Sequence, residues 1–166
     1  MMFQPLNAKI KAPNYNFSLD SLSDFHPQKS RVDLEKKYGS PEIMGTSSGI
    51  ETMKFNVAHL QYKFPVVVQV KDGKVLDFFA KLPSYFLHDI FFQSLVNRLG
   101  KQMAFKKVGE EAVYTWEKDS MKHVYSAACT ITCFPIFYTV FPLAETSGFK
   151  PQIEMMKAAT APVKDF

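Results

Sequence analysis

The chain has 166 residues, the size of one compact domain or of two small subdomains sharing a core, which excludes a large multidomain enzyme. Apolar residues make up 46% and charged residues 22%, proportions of a globular protein rather than of a disordered chain or a coiled coil. The net charge is +4, but every one of the 20 basic residues except Arg31 and Arg98 is a Lys, scattered singly as at Lys54, Lys63, Lys71, Lys74 and Lys81. So few planar guanidinium forks argue against nucleic acid as a partner.

Phe is the unusual entry, with 16 against seven Tyr and one Trp, enough aromatic area for a large core. Residues 1–17 carry Pro5, Pro13 and several Asn without periodicity and read as an extended arm. Gln4, Pro5, Asn7 and Lys9 break any apolar run of secretory-signal length. The expected location is therefore cytoplasmic if this start is native, and the cell envelope if the chain is processed.

From Ser18 the pattern turns helical: a short turn at 18–22, then a helix over 27–38 with Pro27 in its first position and Gly39 at its stop. Gly45-Thr46-Ser47-Ser48-Gly49 reads as a flexible connection. Strands are predicted at 52–57 and within 59–70, where Val66, Val68 and Val70 share one face. Asp72-Gly73 joins the latter to a strand at 75–81 through a primed turn. A strongly apolar helix over 85–99 follows, with Phe86, Ile90, Phe91, Leu95, Val96 and Leu99 on its buried face, and Gly100 ends it.

Further strands are predicted at 112–117, at 122–134 after a turn through Lys118-Asp119-Ser120, and at 136–141. The stretch between His123 and Ala144 lacks Asp, Glu, Lys and Arg, but its β-branched and aromatic residues and two prolines predict core strands meeting at Pro135, not a transmembrane helix. After Pro142 the chain becomes a polar tail with a short helix at 153–159. Cys129 and Cys133, if both lie on one straight strand, stand about 13 Å apart at roughly 3.3 Å per residue. A disulfide needs about 5.5 Å, so free buried thiols are expected unless the strand bends sharply near Pro135.

Catalytic chemistry finds little support. His26, His59, His88 and His123 are isolated, and His88-Asp89 are helical neighbours that point about 100° apart. A metal set of His123, Cys129 and Cys133 has strand spacing rather than the short turn spacing of zinc ligands. Ser47 and Ser48 lie in neither a nucleophile elbow nor a phosphate loop. A reactive Cys would need a lowered pKa and access. The residues thus favour a noncatalytic protein with no metal and no cofactor.

The segment Leu34-Glu35-Lys36-Lys37-Tyr38-Gly39 is followed by strands, and Leu95-Val96-Asn97-Arg98-Leu99-Gly100 repeats that order; the same offset places 53–56 on 114–117. The chain therefore reads as α+β: an N-terminal arm (1–17), two modules (18–82 and 83–143), each a helix plus a three-stranded meander, and a tail (144–166). The two meanders would form one antiparallel sheet with helices packed on one face. Together with Ser40-Pro41-Glu42 and Lys71-Asp72-Gly73-Lys74-Val75, the first module resembles the small αβ module of the SmpA/OmlA (BamE) lipoproteins. The tandem arrangement is similar to that of the β-lactamase inhibitory proteins. In the second cycle Lys101-Gln102 stand where the first has Ser40-Pro41, and the chain has no lipoprotein cysteine at its N-terminus.

The resemblance implies a surface for binding another protein. The expected function is protein interaction or envelope assembly through a sheet face carrying aromatic residues and Lys, with Phe86, Phe91, Phe92, Tyr125, Phe137 and Tyr138 as candidate partner or ligand residues. The alternative is a carrier holding a small apolar ligand between the second helix and the strands. The oligomeric state is left open.

Overall fold

A computed structural model describes residues 14–59, 62–83, 85–129, 133–144 and 148–154. Most of the expected N-terminal arm, and the C-terminal helix beyond residue 154, lie outside the described residues; within them the tail forms a helical turn at 152–154.

Among the described residues three helices accompany eight strands: α1 (Asn16–Ser23), α2 (Arg31–Tyr38), β1 (Glu42–Ser47), β2 (Ile50–His59), β3 (Tyr62–Lys71), β4 (Lys74–Lys81), α3 (His88–Leu99), β5 (Ala104–Val108), β6 (Glu111–Lys118), β7 (Met121–Cys129) and β8 (Cys133–Pro142). The strands form one antiparallel sheet in the order β1-β2-β3-β4-β8-β7-β6-β5. The chain is thus α+β and dominated by its sheet. Among the described residues no helix is long and apolar enough to cross a membrane.

Local chemistry accounts for the element ends. Gln28, at φ 79°, separates Pro27 from α2, which starts at Arg31 behind Ser30; the Ser30 hydroxyl accepts from the Val32 N–H. The intervening segment is tied to the β3–β4 turn, because the Gln28 N–H donates to the Val75 carbonyl and the Arg31 N–H to that of Gly73. That turn is the expected one: Asp72 and Gly73 both have positive φ, at 52° and 77°, matching the twist of the flanking strands. Asp119 and Ser120 do the same between β6 and β7.

Each half of the sheet has four strands, where three were predicted. The Gly45–Ser48 segment is not a loose connection: Gly45, Thr46 and Ser47 pair with Thr52, Glu51 and Ile50, and the positive φ of Ser48 and Gly49 turns the chain tightly into β2. β5 supplies the other additional strand, with Phe105 opposite Tyr114.

The last hairpin corrects the cysteine expectation. β7 ends at Cys129 and β8 starts at Cys133, so the reversal falls between the cysteines instead of at Pro135. They face each other in the register, 3.9 Å apart at Cα, and are joined by a disulfide. The 13 Å separation assumed a straight strand through both; a hairpin brings its two ends together.

Cross-strand register arranges the core in rows. Phe55, Val66, Ala80, Tyr138, Tyr125, Tyr114 and Phe105 stand side by side across seven strands, and Met53, Val68, Phe78, Val140, His123 and Trp116 form the next row. The helices cover this face. Phe25, which follows α1, packs on Phe55 and Phe78, while Phe91 of α3 packs on Tyr125 and Tyr138 at ring separations of 5.4 and 6.0 Å. Burial of each such side chain is worth roughly 1.5–3 kcal/mol.

The opposite face is crossed by residues 148–154. The Gln152 N–H and side-chain amide donate to the two carboxylate oxygens of Asp77, at 2.8 and 3.0 Å, and Gln69 Nε2 donates to the same carboxylate at 3.1 Å. Asp77 is completely buried, and burial outweighs these bonds, raising its pKa to about 6.

Candidate functional site

The aromatic row defines the site, because it starts in the core and runs out to a free edge. Tyr138 and Tyr125 are buried, Tyr114 is half-buried, and Phe105 on the edge strand is 53% exposed. Their rings form a chain of contacts: Tyr114 lies 6.2 Å from Tyr125 and 5.0 Å from Phe105. α3 roofs only the inner part. Its half-buried Phe92 rests on Tyr114 at 4.4 Å, and beyond this ring the shelf is open.

Each central tyrosine is tied to an imidazole. Tyr125 Oη lies 2.8 Å from His88 Nδ1, with the two rings stacked 3° from parallel, and Tyr138 Oη lies 2.7 Å from His123 Nδ1. Burial pushes both phenols above their ordinary pKa and His88 below its own. His123 is held down at about 4 by burial, with the nearby His26 and Lys118 adding to the effect. His26 also falls to about 4, chiefly by burial and then by Lys29 and Arg98. The second imidazole pair lines a cavity of about 170 Å³ with Arg98, Lys118, Asp119 and Met121 among its walls. Arg98 in turn pairs with Asp20 of α1 at 2.8 Å.

His88 heads α3 beside the end of the β7–β8 hairpin. There its ring nitrogen and the sulfurs of Cys129 and Cys133 all lie within 4.8 Å of one another. His123, the imidazole that the sequence pairs with these cysteines, belongs instead to the core row beside Val140 and Trp116.

The free edge is basic and apolar. All five residues of β5 are exposed, with the adjacent Lys106 and Lys107 flanked by Phe105 and Val108; Met103 and Lys101, just before it, are exposed too. Edge strands carry unpaired backbone donors and acceptors that another chain can complete.

Of the candidate residues read from the sequence, Phe86, Phe91, Tyr125 and Tyr138 are buried beneath the helices. Phe92 is half-buried at the inner end of the shelf. Phe137 is on the opposite face, in contact with Phe79 at 5.2 Å. The structure therefore brings five of the six onto one side of the sheet and leaves Phe137 apart. Tyr114, Phe105 and His88 were not among them. β5 offers no apolar alternation to find it by: strand geometry sets Phe105 beside Lys107 on one face and Lys106 beside Val108 on the other.

No protein-family model matches the chain, and no curated protein matches it. Among solved structures, a DUF4309 family protein (YjgB) from Bacillus subtilis is similar at 12% identity and a TM-score of 0.45, covering 69% of this chain and 78% of its own.

Proposed function

We propose that this chain is a noncatalytic protein-binding module whose partner adds an extended, acidic segment to the free edge of β5. The observation that carries the reading is the aromatic row that leaves the core at Tyr114 and ends exposed at Phe105, on a strand with no outer neighbour in the sheet among the described residues. Main-chain pairing would supply affinity, and Phe105 with the rim of Phe92 and Tyr114 would anchor an apolar side chain of the guest. Lys101, Lys106 and Lys107 select acidic neighbours and speed encounter.

This reading keeps the two-module organisation, 18–82 and 83–143, as part of the proposal. The order β1-β2-β3-β4 faces β8-β7-β6-β5 across the β4–β8 seam, and α2 and α3 both stop at a glycine with positive φ, features that support it. The likeness to the BamE lipoprotein module and the β-lactamase inhibitory proteins stands on the same footing. The ligand-carrier reading draws less support, since the rings of Phe91, Tyr125 and Tyr138 fill the space between α3 and the strands by touching one another.

The test is a pull-down from native extract with the wild-type chain and the K106E/K107E variant, read by mass spectrometry, followed by direct titration of the captured protein. The expected result is a partner bound by the wild type and at least tenfold more weakly by the variant, at unchanged melting temperature. Equal binding by both chains refutes the assignment of the edge.

A further inference from the structure

We propose that His88, Cys129 and Cys133 form a binding site for a borderline-soft divalent cation, Zn²⁺, that opens when the disulfide is reduced. This inference is independent of the protein-binding reading. The residues come from three element ends: His88 opens α3, Cys129 closes β7 and Cys133 starts β8. The hairpin register puts the cysteines opposite each other, and the packing of α3 on β7 brings the imidazole to the same place. All three side chains are half-buried, and their donor atoms lie within 4.8 Å of one another.

Tetrahedral zinc, with Zn–S about 2.3 Å and Zn–N about 2.0 Å, needs donors roughly 3.5–3.8 Å apart. A set gathered within 4.8 Å meets that span once the two sulfurs are released from their mutual bond. The imidazole is oriented for the task. Its Nδ1 is 2.8 Å from Tyr125 Oη, and its ring is stacked on Tyr125 and in contact with Phe92. With Nδ1 protonated and donating to the phenol oxygen, the lone pair is on Nε2, which stands 3.9 Å from the exposed Asp89 carboxylate and is not hydrogen-bonded to it, and a partner on the second nitrogen is how proteins aim an imidazole ligand.

The chemistry balances without further groups. A dithiol reductant transfers two electrons and two protons; the Cys129–Cys133 bond breaks, both sulfurs become thiols, and the dithiol closes to its own disulfide. Zn²⁺ then displaces the two thiol protons and takes two thiolates and one imidazole, leaving its fourth position to water or to an exogenous donor. A disulfide oxidant takes the two electrons from the thiolates and, with two protons from water, becomes a dithiol; the Cys129–Cys133 bond re-forms and the ion leaves.

The experiment uses the full chain, reduced with a dithiol, desalted under nitrogen and titrated with Co²⁺, then Zn²⁺. One equivalent of Co²⁺ should produce a thiolate-to-cobalt charge-transfer band that one equivalent of Zn²⁺ abolishes, while the oxidised chain gives no band. His88→Ala should bind at least tenfold more weakly and Cys129→Ser/Cys133→Ser should give no band, each with unchanged circular dichroism. If His88→Ala loses structure, His88→Gln is read by the same criterion. Absence of the band in the reduced wild type, equal metal uptake by the oxidised chain, or wild-type affinity in a folded His88 variant overturns the site.

Discussion

Replacing Asp77 by Asn should flatten one part of the pH dependence of stability. The Asp77 carboxyl is buried on the sheet face opposite the helices, where its oxygens accept from Gln152 and Gln69. Its pKa rises from 3.8 to about 6 on folding, chiefly because burial disfavours the anion. The folded chain therefore holds this proton more tightly than the unfolded one. The associated stability is present in full below about pH 4 and is lost as the pH rises through 6.

At 1.36 kcal/mol per pH unit the difference amounts to about 3 kcal/mol, of which about 2 kcal/mol disappears between pH 4.5 and 7.5. Asn cannot ionise, and its amide replaces the oxygen that accepts the Gln152 N–H, a loss of about 1 kcal/mol at every pH. Urea unfolding of both chains across pH 4.5–7.5 should show the stability difference, wild type minus Asp77→Asn, falling by about 2 kcal/mol as the pH rises. A constant difference would refute the reasoning, because the carboxyl would then titrate alike in both states.

Three further outcomes follow from the same packing. His26 and His123 are held near pKa 4 and their rings meet at 5.5 Å, so their NMR signals should titrate near pH 4 rather than 6.5. Their folded pKa values lie below the unfolded ones, so the stability they contribute is present above about pH 6.5 and lost as the pH falls through 4; inflections near 6.5 would contradict this. Cys129→Ser/Cys133→Ser releases a five-residue loop and should cost about 2 kcal/mol by urea unfolding; a change below about 0.5 kcal/mol would place the hairpin's stability elsewhere. Leu95→Ala empties a fully buried position of α3 and should cost about 2–5 kcal/mol in the same assay, whereas a loss under 1 kcal/mol would mean that α3 is not part of the core.

What could be read from the sequence follows from how local each signal is. The Asp72-Gly73 turn and the Gly39 and Gly100 stops depend on residues within one or two turns of each other and stand where they are expected; α3 keeps Phe91 and Leu95 of its predicted stripe but starts at His88 instead of residue 85, so Phe86 is buried just ahead of the helix. β1 and β5 were hidden because they lie at the sheet's edges and are exposed along their whole length, so neither carries the apolar alternation that marks a half-buried strand. The cysteine pair failed on a single displaced turn: Pro135 drew the reversal to itself, while the chain turns before it and leaves Pro135 inside β8.

The candidate site was harder to read, because it is made by register. Only pairing sets Phe105, Tyr114, Tyr125 and Tyr138 in one row, from four strands scattered between residues 104 and 142. His88 reaches Tyr125 across 37 residues, and Gln152 reaches Asp77 across 75. Neither relation has a trace in spacing along the chain.

The central claim is that the outer edge of β5 receives a partner's strand. Hydrogen exchange of the backbone amides of β5, measured with and without the captured partner, addresses it directly. Exchange should slow at residues 104–108, centred on Phe105 and Lys107, with β1 at the far edge unchanged. A bound partner that leaves β5 exchange unaltered and slows β1 or the helices instead would contradict it.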